Sequence, residues 1–512
     1  MKNNLLITLV VGSMLLAASC TKLNSSLGGA VPSVGGGSSS VAPLLLATYD
    51  AMRQPFQDQS ELWAANEHTS DEACGPTRGG DWDDNGIWRV MHTHKWDADH
   101  AFLRNSYSSL GKVVFNATDI LRYSATAQQT AEARYLRAYA TYNMVDGWDQ
   151  APYREPGGNP LDLPLVRKGT AAIDWVISEL NAILNDLPTG AANTNNANRN
   201  AARVLLMKCL LNKGVYANRA TPTFAAADMN QVISLADQII TGGGYSLATN
   251  YFDDFAPNND VVGTENIWTL KNIGGSASGN VRSRWFCTLH YNMNPSGWNG
   301  FTTLSDFYSK FEATDVRRGG VAYPGVTSVS GIRPGFLVGQ QFNQSGVALT
   351  DRNGAPLAFT PTVALKETGS NLEVTGIRVV KYPPDYVSGD NSNNDYVVFR
   401  LSDVLLMKAE AILRGGAPTA VAPTTALAIV NAVRTPRGAT ALSAVTLPIL
   451  LDERGREFYW EGMRRNDQVR FGTFLNARIL KPTVSDAKYL LFPIPNQQLA
   501  VNPNLVQNPG YN

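Results

Sequence analysis

The chain has 512 residues, 44% of them hydrophobic and 17% charged, so it can bury a large core. Lys plus Arg and Asp plus Glu number 43 each, for a net charge of zero. With no Lys/Arg run either, this excludes a protein that holds nucleic acid through a basic field.

Met1-Lys2 gives a basic start, and residues 5–16 form a charge-free apolar run. That run is long enough for a signal-peptide core but short of the roughly 20 residues that span a bilayer. The small residues Ala18 and Ser19 then precede Cys20, an order that resembles a bacterial lipoprotein box, with Leu16 one place upstream of its commonest position. Residues 1–19 are therefore expected to be a signal peptide and Cys20 to carry lipid. More than one acyl chain is expected, because a single chain binds a membrane only marginally. Residues 20–40 are rich in Gly and Ser and read as a flexible lipidated tether.

From 41 to 244 the pattern is helical. Apolar residues recur at three, four and seven in 101–123, 130–148, 170–187, 200–217 and 225–240. Pro188 and Gly242-Gly243-Gly244 stop two of these runs. Successive amphipathic helices with short breaks suggest stacked hairpins like those of tetratricopeptide repeats, with irregular spacing. The expected class is mainly α. Between 245 and 399 Gly, Asn, Pro and Ser rise and short β-like pieces occur, such as 377–382, so this segment reads as a loop-rich insertion and the expected ligand face. Helix returns at 402–413, 425–433 and 447–471, and the tail is extended and punctuated by Pro493 and Pro495.

Cys209 sits in an apolar helical run and reads as a buried thiol. Cys74 and Cys287 lie in loop-like segments and are candidates for pairing in an oxidising compartment. No Cys-x-x-Cys occurs, which argues against a zinc framework.

Several segments carry a resemblance. They are Arg400-Leu-Ser-Asp403 with Lys408-Ala-Glu410, the run from Glu453 to Asp467 containing Phe458-Tyr-Trp460, and the tail Phe492-Pro-Ile-Pro495 with Asn502-Pro-Asn504. Glu132-Ala-Arg-Tyr135 and Phe311 to Arg318 add to it upstream. Together they resemble the SusD/RagB family of outer-membrane nutrient-binding lipoproteins, across nearly the whole chain. The resemblance implies a helical scaffold over 41–244 and 400–512, and a cell-surface lipoprotein of the outer membrane. It also implies a glycan ligand and a SusC-like TonB-dependent transporter as partner. No cofactor is expected. The motif residues themselves read as structural: Glu461 with Arg464, and Asp467 with Arg470, are spaced for ion pairs on one helix face.

Candidate chemistry lies in two aromatic clusters. The first is Asp81-Trp82-Asp83-Asp84-Asn85-Gly86-Ile87-Trp88, followed by Trp96. Asp81, Asp83 and Asn85 match the start of a calcium loop, but His92 stands where a bidentate Glu is needed. Asp81, Asp83 and Asp84 are also candidates for a glycosidase acid/base pair, although adjacent residues of one loop rarely give the required separation. The third reading is a sugar-binding edge, with aromatic faces for pyranose rings and carboxylates for hydroxyls. A loop held together by its own tryptophans competes with all three.

The second cluster is Arg284-Trp285-Phe286 with Tyr291 and Trp298. The family resemblance implies an aromatic arc made of Trp82, Trp88 or Trp96 with Trp285, Tyr291 and Trp298, and with Arg284 orienting the ligand. His92 and His94 lack partners at a diagnostic metal spacing, so no metal is expected. The leading expectation is a glycan-binding protein without catalytic activity. A surface glycoside hydrolase using Asp81, Asp83 or Asp84, or a peptide-binding lid on a transporter, are the competing expectations.

Overall fold

The computed structural model describes residues 41–159, 161–191 and 194–511. The expected signal peptide, Cys20 and the 20–40 tether lie outside the described residues.

The helices Ala101–Ile120, Ala127–Trp148, Gly169–Ile183, Arg199–Ala217 and Ala226–Gly242 pack serially, each on the next. Sequence chemistry sets their ends. Thr126 and Gln129 form a reciprocal capping box that starts the second helix three residues before the expected position. Asn198 accepts from the Ala201 N–H to start the fourth. The Arg199–Ala217 helix lies between two neighbours, which explains why Val204, Leu205, Leu206, Met207, Cys209 and Leu210 are all buried. After a long excursion the row resumes. Helix Leu401–Leu413 packs on Ala226–Gly242, and Ala426–Arg434 packs on Leu401–Leu413. The scaffold is thus mainly α, with small two-stranded sheets. Among the described residues, no helix is long and apolar enough to cross a membrane.

The excursion leaves and returns through one ribbon. Strand Asn266–Leu270 pairs antiparallel with Tyr396–Arg400, with Leu270 opposite Tyr396. Residues 271–395 therefore begin and end side by side. Inside that span, Arg378–Val380 pairs with Gly335–Leu337, a shorter strand than the 377–382 piece suggests.

One helix differs from expectation. The 447–471 run is two helices, Leu447–Phe458 and Arg464–Arg470, broken where Trp460 and Gly462 take φ of 64° and 75°. The break redirects Glu461. Instead of pairing with Arg464, it meets Lys381 at 2.7 Å and Arg400 at 2.8 Å. The Asp467–Arg470 pair forms as spaced, at 2.6 Å.

Arg400 also meets Glu457 at 2.6 Å and Glu265 at 3.1 Å, while Arg317 meets Asp315, Glu453 and Glu457 at 2.7–2.8 Å. All these side chains are fully buried. Ions so deeply desolvated persist only with near-complete pairing, and this lattice ties the ribbon, the broken helix and the excursion together.

Candidate functional site

Three loops meet beside the start of the helical row. Thr77–Arg78 pairs in parallel with Lys366–Glu367, Cys74 bridges Thr302, and Thr303 bridges Ile377. Arginines fasten the joint. Arg78 donates to the carbonyls of Asn299 (3.0 Å) and Leu372 (2.9 Å). Arg378 donates to Asn299 Oδ1 (2.7 Å) and the Glu373 carbonyl (2.9 Å). Loops 75–88, 291–300 and 351–375 are therefore held as one unit.

On this unit lies an open, shallow depression of about 340 Å³, lined by Gln59, Asp81, Trp82, Asp84, Trp88, Tyr291 and Trp298. Trp298 is 45% exposed and Trp82 is half-buried. Their ring centroids are 6.1 Å apart with planes at 58°, so the two faces form a curved surface. Trp88 lies beneath, edge-on to Trp82 at 5.5 Å.

The backbone is bent to present these rings. Trp82, Asp84 and Asn85 have φ of 60°, 40° and 54°, a left-handed conformation that is costly for non-glycine residues and concentrates at functional sites. A Cβ on Gly300 would sit 2.3 Å from Trp82 Cε2, so only glycine lets that ring lie on the 298–300 backbone.

Several polar groups of the first loop are held from within the protein. Trp82 Nε1 donates to the Trp298 carbonyl at 2.9 Å, and Trp88 Nε1 to Asp84 Oδ2 at 2.9 Å. Tyr291 OH donates to Asp81 Oδ2 at 3.1 Å. Burial, and then the Asp81 carboxylate, hold the Tyr291 hydroxyl above its ordinary pKa, so it remains a donor. Asp83 is paired with Arg89 at 2.7 Å. Arg352 lies 4.0 Å over the Tyr291 ring and pairs with Glu373, which also takes His290 Nε2 at 2.8 Å.

Of the predicted residues, Trp82, Trp88, Tyr291 and Trp298 come together here. Trp96, Trp285 and Arg284 do not, and their placement corrects the expected arc. Trp96 is 2% exposed and donates to Tyr511 OH at 2.9 Å, packed against Tyr489 and Phe492 of the tail. Trp285 is buried in the core. Arg284 is fully buried over the Trp63 ring at 4.0 Å and donates to the Phe56 carbonyl at 2.6 Å.

Asp81, Asp83 and Asp84 have separate partners rather than forming an opposed acid/base pair. The expected irregularity at His92 has a structural reason: its ring is buried between the carbonyls of Ala73 (3.2 Å) and Ile479 (3.0 Å). Burial lowers its pKa to about 3, so it stays neutral. Cys74 and Cys287 do not pair; both are free, buried thiols.

Sequence reasoning missed Gln59, Arg352, Glu373 and Gly300. The first three carry no motif, but a glycine two residues after Trp298 was a signal of close approach.

Comparison with known proteins agrees with this architecture. The sequence model of the SusD family matches residues 238–511. The starch-binding protein SusD of Bacteroides thetaiotaomicron is 26% identical over 431 residues, covering 77% of this chain and 75% of that protein. Among solved structures, a laminarin-binding SusD-like protein superposes with a TM-score of 0.70 at 20% identity, covering 93% of this chain and 100% of that one. Surface glycan-binding protein A of Bacteroides thetaiotaomicron, in complex with laminarihexaose, gives a TM-score of 0.68 at 17% identity, covering 92% and 100%. With more than half its length matched by the family's sequence model, the chain belongs to the SusD family.

Proposed function

We propose that this protein is a glycan-binding lipoprotein of the outer-membrane surface, anchored through Cys20, that passes oligo- or polysaccharide to a SusC-like TonB-dependent transporter. The observation that carries this reading is the curved pair of tryptophan faces, Trp82 and Trp298, set in an open depression with carboxylate acceptors at its edge. Pyranose rings offer apolar C–H faces to such rings and hydroxyls to such acceptors. Relatives named for starch, laminarin and surface-glycan binding support the same ligand class.

The protein binds and does not cleave. Asp81, Asp83 and Asp84 sit on one loop, and hydrolysis needs two carboxyls set across the bond about 5–9 Å apart. A shallow site with few polar anchors gives modest affinity, in the range of about 1 μM to 1 mM.

The test is to incubate the purified protein with a panel of neutral oligo- and polysaccharides. Retarded migration in glycan-containing gels, with no released product, is the expected result; released oligosaccharides would overturn it. Loss of lipid labelling and of membrane fractionation in Cys20→Ser tests the anchor.

A further inference from the structure

We infer that this depression selects uncharged glycans and rejects those bearing carboxylate or sulfate groups, an inference that rests on the glycan-binding reading above. Two ionised side chains line it, Asp81 and Asp84, and both are exposed acids. Among the described residues, no cation lines it.

Each of the cations nearby already has a partner in the protein. Arg89 is held by Asp83 at 2.7 Å, and Arg352, half-exposed at the rim, is held by Glu373, by the Tyr291 face and by Asp81 itself at 3.8 Å. Arg282 pairs with Asp390. Arg78 and Arg378 are buried and turned to backbone carbonyls. His290 is held by Glu373, and burial lowers its pKa, which favours the neutral ring.

Most of the hydrogen-bonding polarity points the same way, with Trp298 Nε1 and the Gln59 amide N–H groups the donors left open. Three of the four lining aromatics spend their donors inside the protein: Trp82 on a carbonyl, Trp88 on Asp84 and Tyr291 on Asp81. Each of those carboxylates receives its internal bond on Oδ2, which leaves Oδ1 to accept from a ligand. A sugar hydroxyl can donate to that oxygen, whereas a uronate carboxylate or a sulfate ester has only acceptors and meets like charge. Selection therefore arises as much from repulsion of the wrong ligand as from attraction of the right one.

The experiment uses maltohexaose and laminarihexaose, each beside its derivative oxidised at C6 from hydroxymethyl to carboxylate, titrated calorimetrically into the full folded protein. At about 20 mM salt the oxidised form of whichever hexaose binds should be at least ~10-fold weaker, and the gap should narrow at about 0.5 M salt. In the double variant Asp81→Asn/Asp84→Asn, which keeps an acceptor oxygen at each position, the ratio of the two dissociation constants should fall to within about threefold. Equal or tighter binding of the oxidised form overturns the inference, and so does a tenfold ratio that survives in the double variant. If neither neutral hexaose binds, the glycan-binding reading itself fails and this inference falls with it, an outcome distinct from binding without preference.

Discussion

The charge lattice around Arg400 and the aromatic depression around Trp298 are built on opposite terms. In the first, Arg317, Arg400, Glu265, Glu457 and Glu461 are fully buried and paired several times over. In the second, Trp298 is 45% exposed, and its loop neighbours hold strained backbone so that rings face solvent. The lattice contains several of the residues by which the family is recognised, yet all of them are buried. The depression contains what a ligand can touch, and it lies on loops whose residues follow no motif. Recognising the family and locating the site are therefore separate problems, solved by different residues.

Substitutions can break that contrast. Arg400→Ala removes one cation from between three buried carboxylates and should cost about 3–5 kcal/mol, read as a fall in the denaturant midpoint. Trp96→Ala should cost a similar amount, about 3–5 kcal/mol, because the ring is wedged against the tail. Its folded fraction should keep its glycan dissociation constant within about twofold; a large loss of affinity would put Trp96 back in the site. Trp298→Ala should do the reverse. Binding weakens by about 2 kcal/mol, roughly thirtyfold, while stability changes by less than about 1 kcal/mol.

The smallest effect concerns pH. Glu67 and Glu72 are buried against each other, where Glu67 accepts from the Gly462 N–H and Glu72 from the Trp460 N–H at 3.3 Å. Burial pushes Glu67 up to about 7, and burial together with the Glu67 charge holds Glu72 well above the usual carboxylate range. Raised carboxyl values mean that the protonated pair favours folding. Its contribution is complete below the ordinary value of 4.5 and is lost as pH rises through the folded values. Glu72→Gln keeps a neutral partner at that position. Between about pH 5 and 8 the wild type should lose about 1–2 kcal/mol of stability that the variant retains, measured as the difference in their unfolding curves. Parallel curves would show that Glu72 carries no such linkage.

Much of the scaffold was legible because its signals are local. Helical periodicity, the Thr126 and Asn198 caps and the glycines after Ile240 act within a few residues, and the helices stand close to where those signals put them. The break at Trp460 was not legible. It exists because Glu461 is drawn to Lys381 and Arg400, tens of residues away in sequence, and tertiary pairing overrides a continuous helical pattern. The site was half legible for the same reason. Loop tryptophans stood out as a type, but Trp82 and Trp96 look alike until the tail folds over Trp96 and leaves Trp82 open. Arg284 was misplaced because a loop arginine in an aromatic cluster gives no hint that it will be buried over Trp63. Arg352 and Glu373 reach the site only through the register of Arg378–Val380 and its neighbours.

The proposed ligand site is made by the exposed rings of the depression and not by the buried aromatics. Calorimetric titration of one neutral oligosaccharide that binds the wild type, repeated on Trp298→Ala and on Trp96→Ala, with unfolding curves of the same samples, tests it most directly. The expected result is lost affinity with near-native stability for Trp298→Ala, and lost stability with retained affinity for Trp96→Ala. Undiminished binding by Trp298→Ala would contradict it.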